Sequence, residues 1–155
     1  MVRRYVFDTS ALVKLYVVEP DSTTVRDMLR GAVAASASTQ VIVCDFALPE
    51  TVAALKQIVR SRTAARRGFS PAAFRRAVPQ VWDDLTNGTP LLVVPASDYV
   101  HSAARIVEHH ELRAPDAVHV ATALGVERPV IFVSGDVEQC KVARAEGLEV
   151  IELAA

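Results

Sequence analysis

Residues 130–136 of the chain, with the sequence VIFVSGD, join a short apolar run to an aspartate. Similar apolar runs lie at residues 5–7 (YVF), 41–44 (VIVC) and 91–94 (LLVV). Continuous runs of this length are typical of strands that are covered on both faces of a parallel sheet. A fifth segment, residues 149–153 (EVIEL), alternates polar and apolar side chains, which predicts a strand at an edge of the sheet.

Segments with helical periodicity separate these runs. They cover residues 10–17, 23–29, 48–59, 71–85, 98–110, 116–124 and 138–146. Pro115 is well placed for the first position of its helix, and Gly147 predicts a C-terminal cap for the last one. Strands that alternate with helices predict an α/β fold, in which a mostly parallel sheet lies between layers of helices.

The composition fits one domain over residues 1–155, because hydrophobic residues make up 51% of the chain and suffice for a buried core. This excludes intrinsic disorder as the main state. Cys44 and Cys140 are too few for a disulfide framework and are interpreted as small core residues. We expect a soluble, cytoplasmic protein without a membrane partner, because the sequence shows neither a signal peptide nor a membrane span.

Four carboxylates occupy positions where a parallel sheet binds ligands. Asp8 directly follows the first apolar run, and Asp136 follows the run at residues 130–133. Glu50 and Asp116 each follow a proline at the start of a helix. Each also has a structural explanation: Asp8 as a helix cap, Asp136 as a turn residue, and the other two as ordinary acids of a first helical turn.

The combination favours a functional site. In open α/β sheets, ligands bind at the carboxyl ends of the strands. Four carboxylates that meet there would repel each other unless a cation neutralised them. Oxygen ligands without a His or Cys cluster favour Mg²⁺ or Mn²⁺, and such ions hold phosphate oxygens and activate water. The residues therefore indicate phosphoryl chemistry.

Four motifs carry a resemblance to a known family. They are residues 7–16 (FDTSALVKLY), 48–55 (LPETVAAL), 113–124 (RAPDAVHVATAL) and 132–136 (FVSGD), the last leading to residues 147–150 (GLEV). In this order and spacing the chain resembles the PIN-domain family, in particular the VapC-type toxin ribonucleases of type II toxin–antitoxin systems. The resemblance spans nearly the whole sequence, and the third motif is the most specific.

The resemblance implies a three-layer α/β/α fold with a five-stranded parallel sheet. It also implies a metal-dependent endoribonuclease that uses Mg²⁺ or Mn²⁺ on RNA, is commonly a homodimer, and is neutralised by a cognate antitoxin protein. Position by position, Asp8 and Asp116 match the principal metal ligands. Glu50 and Asp136 match the acids that complete the catalytic site, directly or through water.

Three hydroxyls near these acids, on Thr9, Ser10 and Ser134, could orient water or phosphate, or serve only as caps and turn residues. The sequence departs from the family pattern at residues 137–140 (VEQC), where relatives more often carry a basic residue and a leucine. The extra negative charge of Glu138 is expected to weaken RNA binding or to alter metal occupancy beside Asp136.

Charge is unevenly distributed, although the formal net charge is only −1. Residues 51–82, called the basic segment below, contain seven Lys and Arg residues and no acid. Arg66 and Arg67 in this segment are candidates for binding an RNA backbone. The alternatives are an antitoxin contact and a solvated helix face. His119, one turn after Asp116, either contacts substrate or packs in the protein.

Other enzyme classes fit poorly. A dehalogenase-like phosphatase would need a second aspartate where the chain has Ser10, and no glycine-rich dinucleotide loop follows Phe7. A receiver domain would need an acidic pair near the N-terminus. The remaining alternative is a binding module, in which the same fold holds RNA or an antitoxin with weak or no cleavage.

Overall fold

The computed structural model shows that the five strand segments form one all-parallel sheet. The strands are β1 (Arg3–Phe7), β2 (Thr39–Cys44), β3 (Leu91–Val94), β4 (Val130–Ser134) and β5 (Glu149–Glu152). Their order across the sheet is β3-β2-β1-β4-β5. The structure describes residues 1–35, 37–61, 68–87 and 90–154. Within these ranges the expected five-stranded parallel sheet is confirmed.

Seven α-helices alternate with the strands in the described ranges. They are α1 (Thr9–Val13), α2 (Ser22–Ala34), α3 (Ala47–Arg60), α4 (Pro71–Thr86), α5 (Val100–His109), α6 (Ala114–Gly125) and α7 (Val137–Ala145). A 3₁₀ turn at Ala96–Asp98 precedes α5. Local sequence fixes several of the ends: the Ser70 hydroxyl caps α4, and Gly147 follows α7 in the left-handed conformation, with φ of 82°. None of the helices described is both long and apolar enough to cross a membrane.

The sheet has a separate apolar core on each face. Phe7 and Val133 pack with residues of α1 to α4, whereas Val6 and Phe132 pack with residues of α5 to α7. Because neighbouring residues of a strand point to opposite faces, each central strand contributes to both cores. The apolar runs of the sequence therefore produce the expected three-layer α/β/α arrangement.

Two local expectations differ from the structure. The helix expected over residues 10–17 ends at Val13, and hydrogen bonds from residue i to i−3 continue the chain as tight turns. The strand β3 is an edge strand, which leaves Leu92 46% exposed, although its apolar run predicts coverage on both faces. Trp82 lies outside both cores and is 53% exposed on α4. Strand order decides the exposure of Leu92, and a local sequence does not encode it.

Leu55 tests the core between α3 and the sheet. Leu55→Ala removes a fully buried side chain and is expected to lower the free energy of unfolding by about 2–5 kcal/mol. Leu92→Ala, at the exposed edge of the sheet, is the matched control and should lower the free energy of unfolding by about 0.5 kcal/mol. Urea denaturation followed by circular dichroism measures both. Equal losses in the two variants would contradict the assigned core.

Candidate active site

The sheet order creates a site at the carboxyl ends of β1 and β4. From β1 the chain proceeds to β2 and β3 on one side, and it then crosses to β4 on the other. Such a reversal leaves a crevice at the strand ends. A groove of about 600 Å³ lies there, and all four predicted acids line it: Asp8, Glu50, Asp116 and Asp136.

Asp8 is the buried centre of this groove. It is the N-cap of α1, and its Oδ1 accepts a hydrogen bond from the Ala11 amide at 2.9 Å. Ser10 Oγ donates to Oδ1 at 2.7 Å, and Ser134 Oγ donates to Oδ2 at 2.6 Å. The carboxylate thus connects β1, α1 and the end of β4.

Burial and hydrogen bonding have opposite effects on the pKa of Asp8. Burial raises the pKa of the Asp8 carboxyl above its ordinary value. The charge of His119 and the hydrogen bonds from Ser134, Ala11 and Ser10 counteract part of this increase. An additional cation in the groove would favour the ionised form further.

Glu50, in the first turn of α3, is held by two partners. Thr9 Oγ1 donates to Glu50 Oε2 at 2.6 Å, and His119 Nε2 lies 2.6 Å from the same oxygen. His119 is buried on α6, so it contacts Glu50 from the opposite helix layer. The sequence left open whether His119 packs or contacts substrate, and the structure shows it packed against a site acid.

The Glu50–His119 contact joins two ionisable groups whose pKa values shift in opposite directions. Burial disfavours both charges, but hydrogen bonds from His119 and Thr9 lower the pKa of Glu50. Burial likewise disfavours the imidazolium, but Glu50, Asp8 and Asp116 raise the pKa of His119 above its ordinary value. The acids of the groove therefore favour the protonated form of His119.

Asp116, in the first turn of α6, has a partner on each oxygen. Arg113 Nε donates to Oδ2 at 2.7 Å, and Gln139 Nε2 donates to Oδ1 at 3.1 Å. Hydrogen bonding to Asp116 raises the pKa of Arg113, and the charges of Asp136 and Glu50 add to the effect. Arg113 therefore lies among three of the four acids.

Asp136 is the N-cap of α7 and belongs to a small network. Its Oδ1 accepts from the Gln139 amide at 2.9 Å, and its own amide donates to Ser134 Oγ at 2.9 Å. The amide of Gly135 donates to Ser10 Oγ at 2.7 Å. The two serine hydroxyls that support Asp8 therefore also fix the loop that carries Asp136.

The hydroxyls of Thr9, Ser10 and Ser134 donate to site carboxylates, so they position acids in this structure. Sequence reasoning missed the roles of Arg113 and Gln139. Their spacing was a usable signal, because each lies three residues from an acid, Arg113 before Asp116 and Gln139 after Asp136. Residues three apart meet on one side of a helical turn.

The donor set fits a hard divalent cation. Four carboxylates from separate elements line the groove, and Gln139 adds a buried Oε1 that has no hydrogen-bond partner among the described residues. Such an acceptor suits a water of a hydrated Mg²⁺ ion. As they stand, however, no three His, Cys, Asp or Glu side chains in the described ranges are arranged to hold a metal ion. Metal binding would therefore require these side chains to move from the positions observed here.

The basic segment adjoins this groove through α3. One face of α3 lines the groove with Ala54 and Gln57. Lys56 and Arg60 also lie on α3, which packs against α4. Arg66 and Arg67, the predicted RNA-binding pair, lie outside the described residues.

Substitution of Ser134 tests the hydrogen-bond network that joins Asp8 to the Asp136 amide. Ser134→Ala removes the donor to Asp8 and the acceptor of the Asp136 amide, so we expect a loss of about 1–3 kcal/mol in the free energy of unfolding. Ser38→Ala removes an exposed hydroxyl that donates only to the Ala35 carbonyl, and it should have little effect. Thermal and urea denaturation measure both variants. A neutral Ser134→Ala would contradict the network.

Comparison with known proteins assigns the family. The PIN domain family model matches residues 5–145. The chain is 31% identical over 128 residues to Ribonuclease VapC45 and to Ribonuclease VapC49, from two strains of Mycobacterium tuberculosis. Each alignment covers 83% of this chain and 80% of the relative.

Solved structures share the fold. VapBC2 from Rickettsia felis, bound to a promoter DNA fragment, matches with a TM-score of 0.55 at 13% identity, over 97% of this chain and 98% of that one. FitAcB from Neisseria gonorrhoeae matches with a TM-score of 0.54 at 13% identity, over 96% of both chains. VapBC-5 from Mycobacterium tuberculosis matches with a TM-score of 0.51 at 17% identity, over 96% of this chain and 98% of that one. With the family model covering most of the sequence, the chain belongs to the PIN domain family.

Proposed function

We propose that this chain is a VapC-type toxin ribonuclease, a metal-dependent endonuclease that hydrolyses RNA phosphodiester bonds. The observation that carries the proposal is the convergence of Asp8, Glu50, Asp116 and Asp136 on one groove. The proposal is supported by membership of the PIN domain family and by the similarity to two proteins that are named ribonucleases.

Asp8 and Asp116 would hold Mg²⁺ or Mn²⁺, and Glu50 and Asp136 would complete the site. When bound, the ion supplies Lewis acidity toward phosphoryl oxygens and makes water more acidic. Hydrolysis adds water across the P–O3′ bond, leaving a 5′-phosphate and a 3′-hydroxyl. The acids must stay ionised and fixed for this chemistry.

The surrounding side chains provide that fixation. Ser10, Ser134 and the Ala11 amide hold the carboxylate of Asp8 in one orientation. His119 and Thr9 hold Glu50 and keep it ionised. Because these partners are in place before substrate arrives, the acids need little reorganisation during the reaction.

The basic segment suits a polyanionic substrate, whereas the acidic groove does not. The acidic groove repels phosphate until a cation neutralises it. The basic segment would supply the attraction for the RNA backbone, with Arg66 and Arg67 as contacts. We further propose inhibition by a protein antitoxin, since one solved structure of the same fold is a member of the VapBC family of toxin–antitoxin systems. The homodimer remains a proposal that rests on the family resemblance alone.

Asp8→Asn and Asp116→Asn test the catalytic site. Each removes the charge of a metal ligand and is expected to reduce metal-dependent cleavage of total cellular RNA by more than about a hundredfold. EDTA should have the same effect on the unsubstituted protein. Gel analysis of RNA, with circular dichroism to verify folding, measures the outcome.

Asp27→Asn is the matched control, because it removes an exposed aspartate on α2 away from the groove. It should cleave like the unsubstituted protein. Near-normal cleavage by Asp8→Asn or Asp116→Asn would show that the site assignment is wrong.

A binding module without cleavage is the second candidate. It is favoured by one observation: Asp116 is already paired with Arg113, and Glu50 is already hydrogen-bonded to His119. A module of this kind would bind RNA or antitoxin, and its binding would not depend on metal. A Mn²⁺ titration of the purified protein therefore separates the two functions.

Arg66→Ala combined with Arg67→Ala tests the basic segment. Loss of two phosphate contacts is expected to weaken RNA binding and to reduce the slope of log K against log salt by about 1.4 for single-stranded RNA. Arg30→Ala with Arg128→Ala removes the same charge from surface positions outside the groove and the basic segment. Fluorescence anisotropy at several salt concentrations measures both pairs. An unchanged slope in the first pair would assign the segment to antitoxin binding.

A further inference from the structure

The two oxygens of Asp116 have different kinds of partner. Gln139, which donates to Oδ1, is only 4% exposed and is fixed on α7. Arg113, which donates to Oδ2, has a side chain that is 81% exposed. One partner is therefore part of the core, and the other can leave without disturbing any packed surface.

Arg113 and the proposed divalent metal ion would compete for the carboxylate of Asp116. The proposed function needs this carboxylate as a metal ligand, yet the guanidinium occupies one of its oxygens. Asp136 and Glu50 act electrostatically on the same guanidinium, so it serves as a counter-ion for the acidic groove. A divalent ion held by the same acids would supply twice the charge of the guanidinium.

We propose that Arg113 is a displaceable counter-ion, which pairs with Asp116 in the metal-free protein and is released when a divalent metal binds. This inference rests on the proposed metal site and adds a regulatory step to it. Release leaves a guanidinium with five N–H donors at the mouth of the groove. Because the Arg113 side chain is largely in solvent, water screens its attraction to Asp116, and the exchange is easily reversed.

The first experiment measures Mn²⁺ affinity by calorimetry. Arg113→Ala removes the competitor for Asp116 and is expected to lower the Kd for Mn²⁺ by about two- to fivefold, the range set by one exposed ion pair. Arg113→Lys keeps a competing cation and should lie between Arg113→Ala and the unsubstituted protein. Arg30→Ala is the control, because it breaks an exposed ion pair with Asp27, which also lies three residues away. It should leave the Kd for Mn²⁺ unchanged.

The second experiment observes release directly. The Nε–H signal of Arg113 in ¹⁵N NMR spectra is identified by its loss in Arg113→Ala. Asp116→Asn supplies the reference position of an unpaired Arg113. Saturation with Mg²⁺, which is diamagnetic, is expected to move the signal of the unsubstituted protein to that reference and to speed its exchange with water.

The outcomes separate this inference from the proposed function. Mn²⁺ binding that requires Asp116 but is equal or weaker in Arg113→Ala would overturn the counter-ion role alone. An Arg113 signal that stays paired at saturating Mg²⁺ would do the same. If the unsubstituted protein binds no Mn²⁺, the metal site and the counter-ion role both fail.

Discussion

The buried carboxylate of Asp8 is the interaction on which the site depends. A charge taken out of water is costly unless hydrogen bonds replace the lost hydration. Here Ser10, Ser134 and the Ala11 amide supply them. Since these donors come from α1 and from the end of β4, the carboxylate is satisfied only when β1 and β4 pair in the observed register. Pairing of β1 with β4 therefore completes the set of donors to Asp8.

Glu50 and Asp116 also have protein partners that replace lost hydration, and in their case the partners are ionisable side chains. Glu50 contacts His119 from the opposite helix layer, and Asp116 pairs with Arg113 from its own helix end. The difference lies in burial: His119 is part of the core, whereas the Arg113 side chain is largely in solvent. A groove with one fixed and one exposed counter-charge can remain folded without metal and still accept a cation.

Most of the fold and the positions of the four acids could be predicted from sequence, because both depend on local patterns. Apolar runs followed by acids place Asp8 and Asp136 at strand ends, whatever the order of the strands. The exposure of Leu92 depends on β3 being at an edge, which is a property of the whole sheet. The contact of His119 with Glu50 joins residues 69 positions apart, so no local pattern reveals it.

The structural and catalytic interpretations of these acids are compatible. Asp8 and Asp136 both cap helices, as the structural interpretation predicts. A cap uses a carboxylate as an ionised acceptor in a fixed orientation beside the positive end of a helix. A metal ligand needs the same ionisation and the same fixation. Capping therefore prepares these two side chains for metal binding, and their helical role is no argument against a catalytic one.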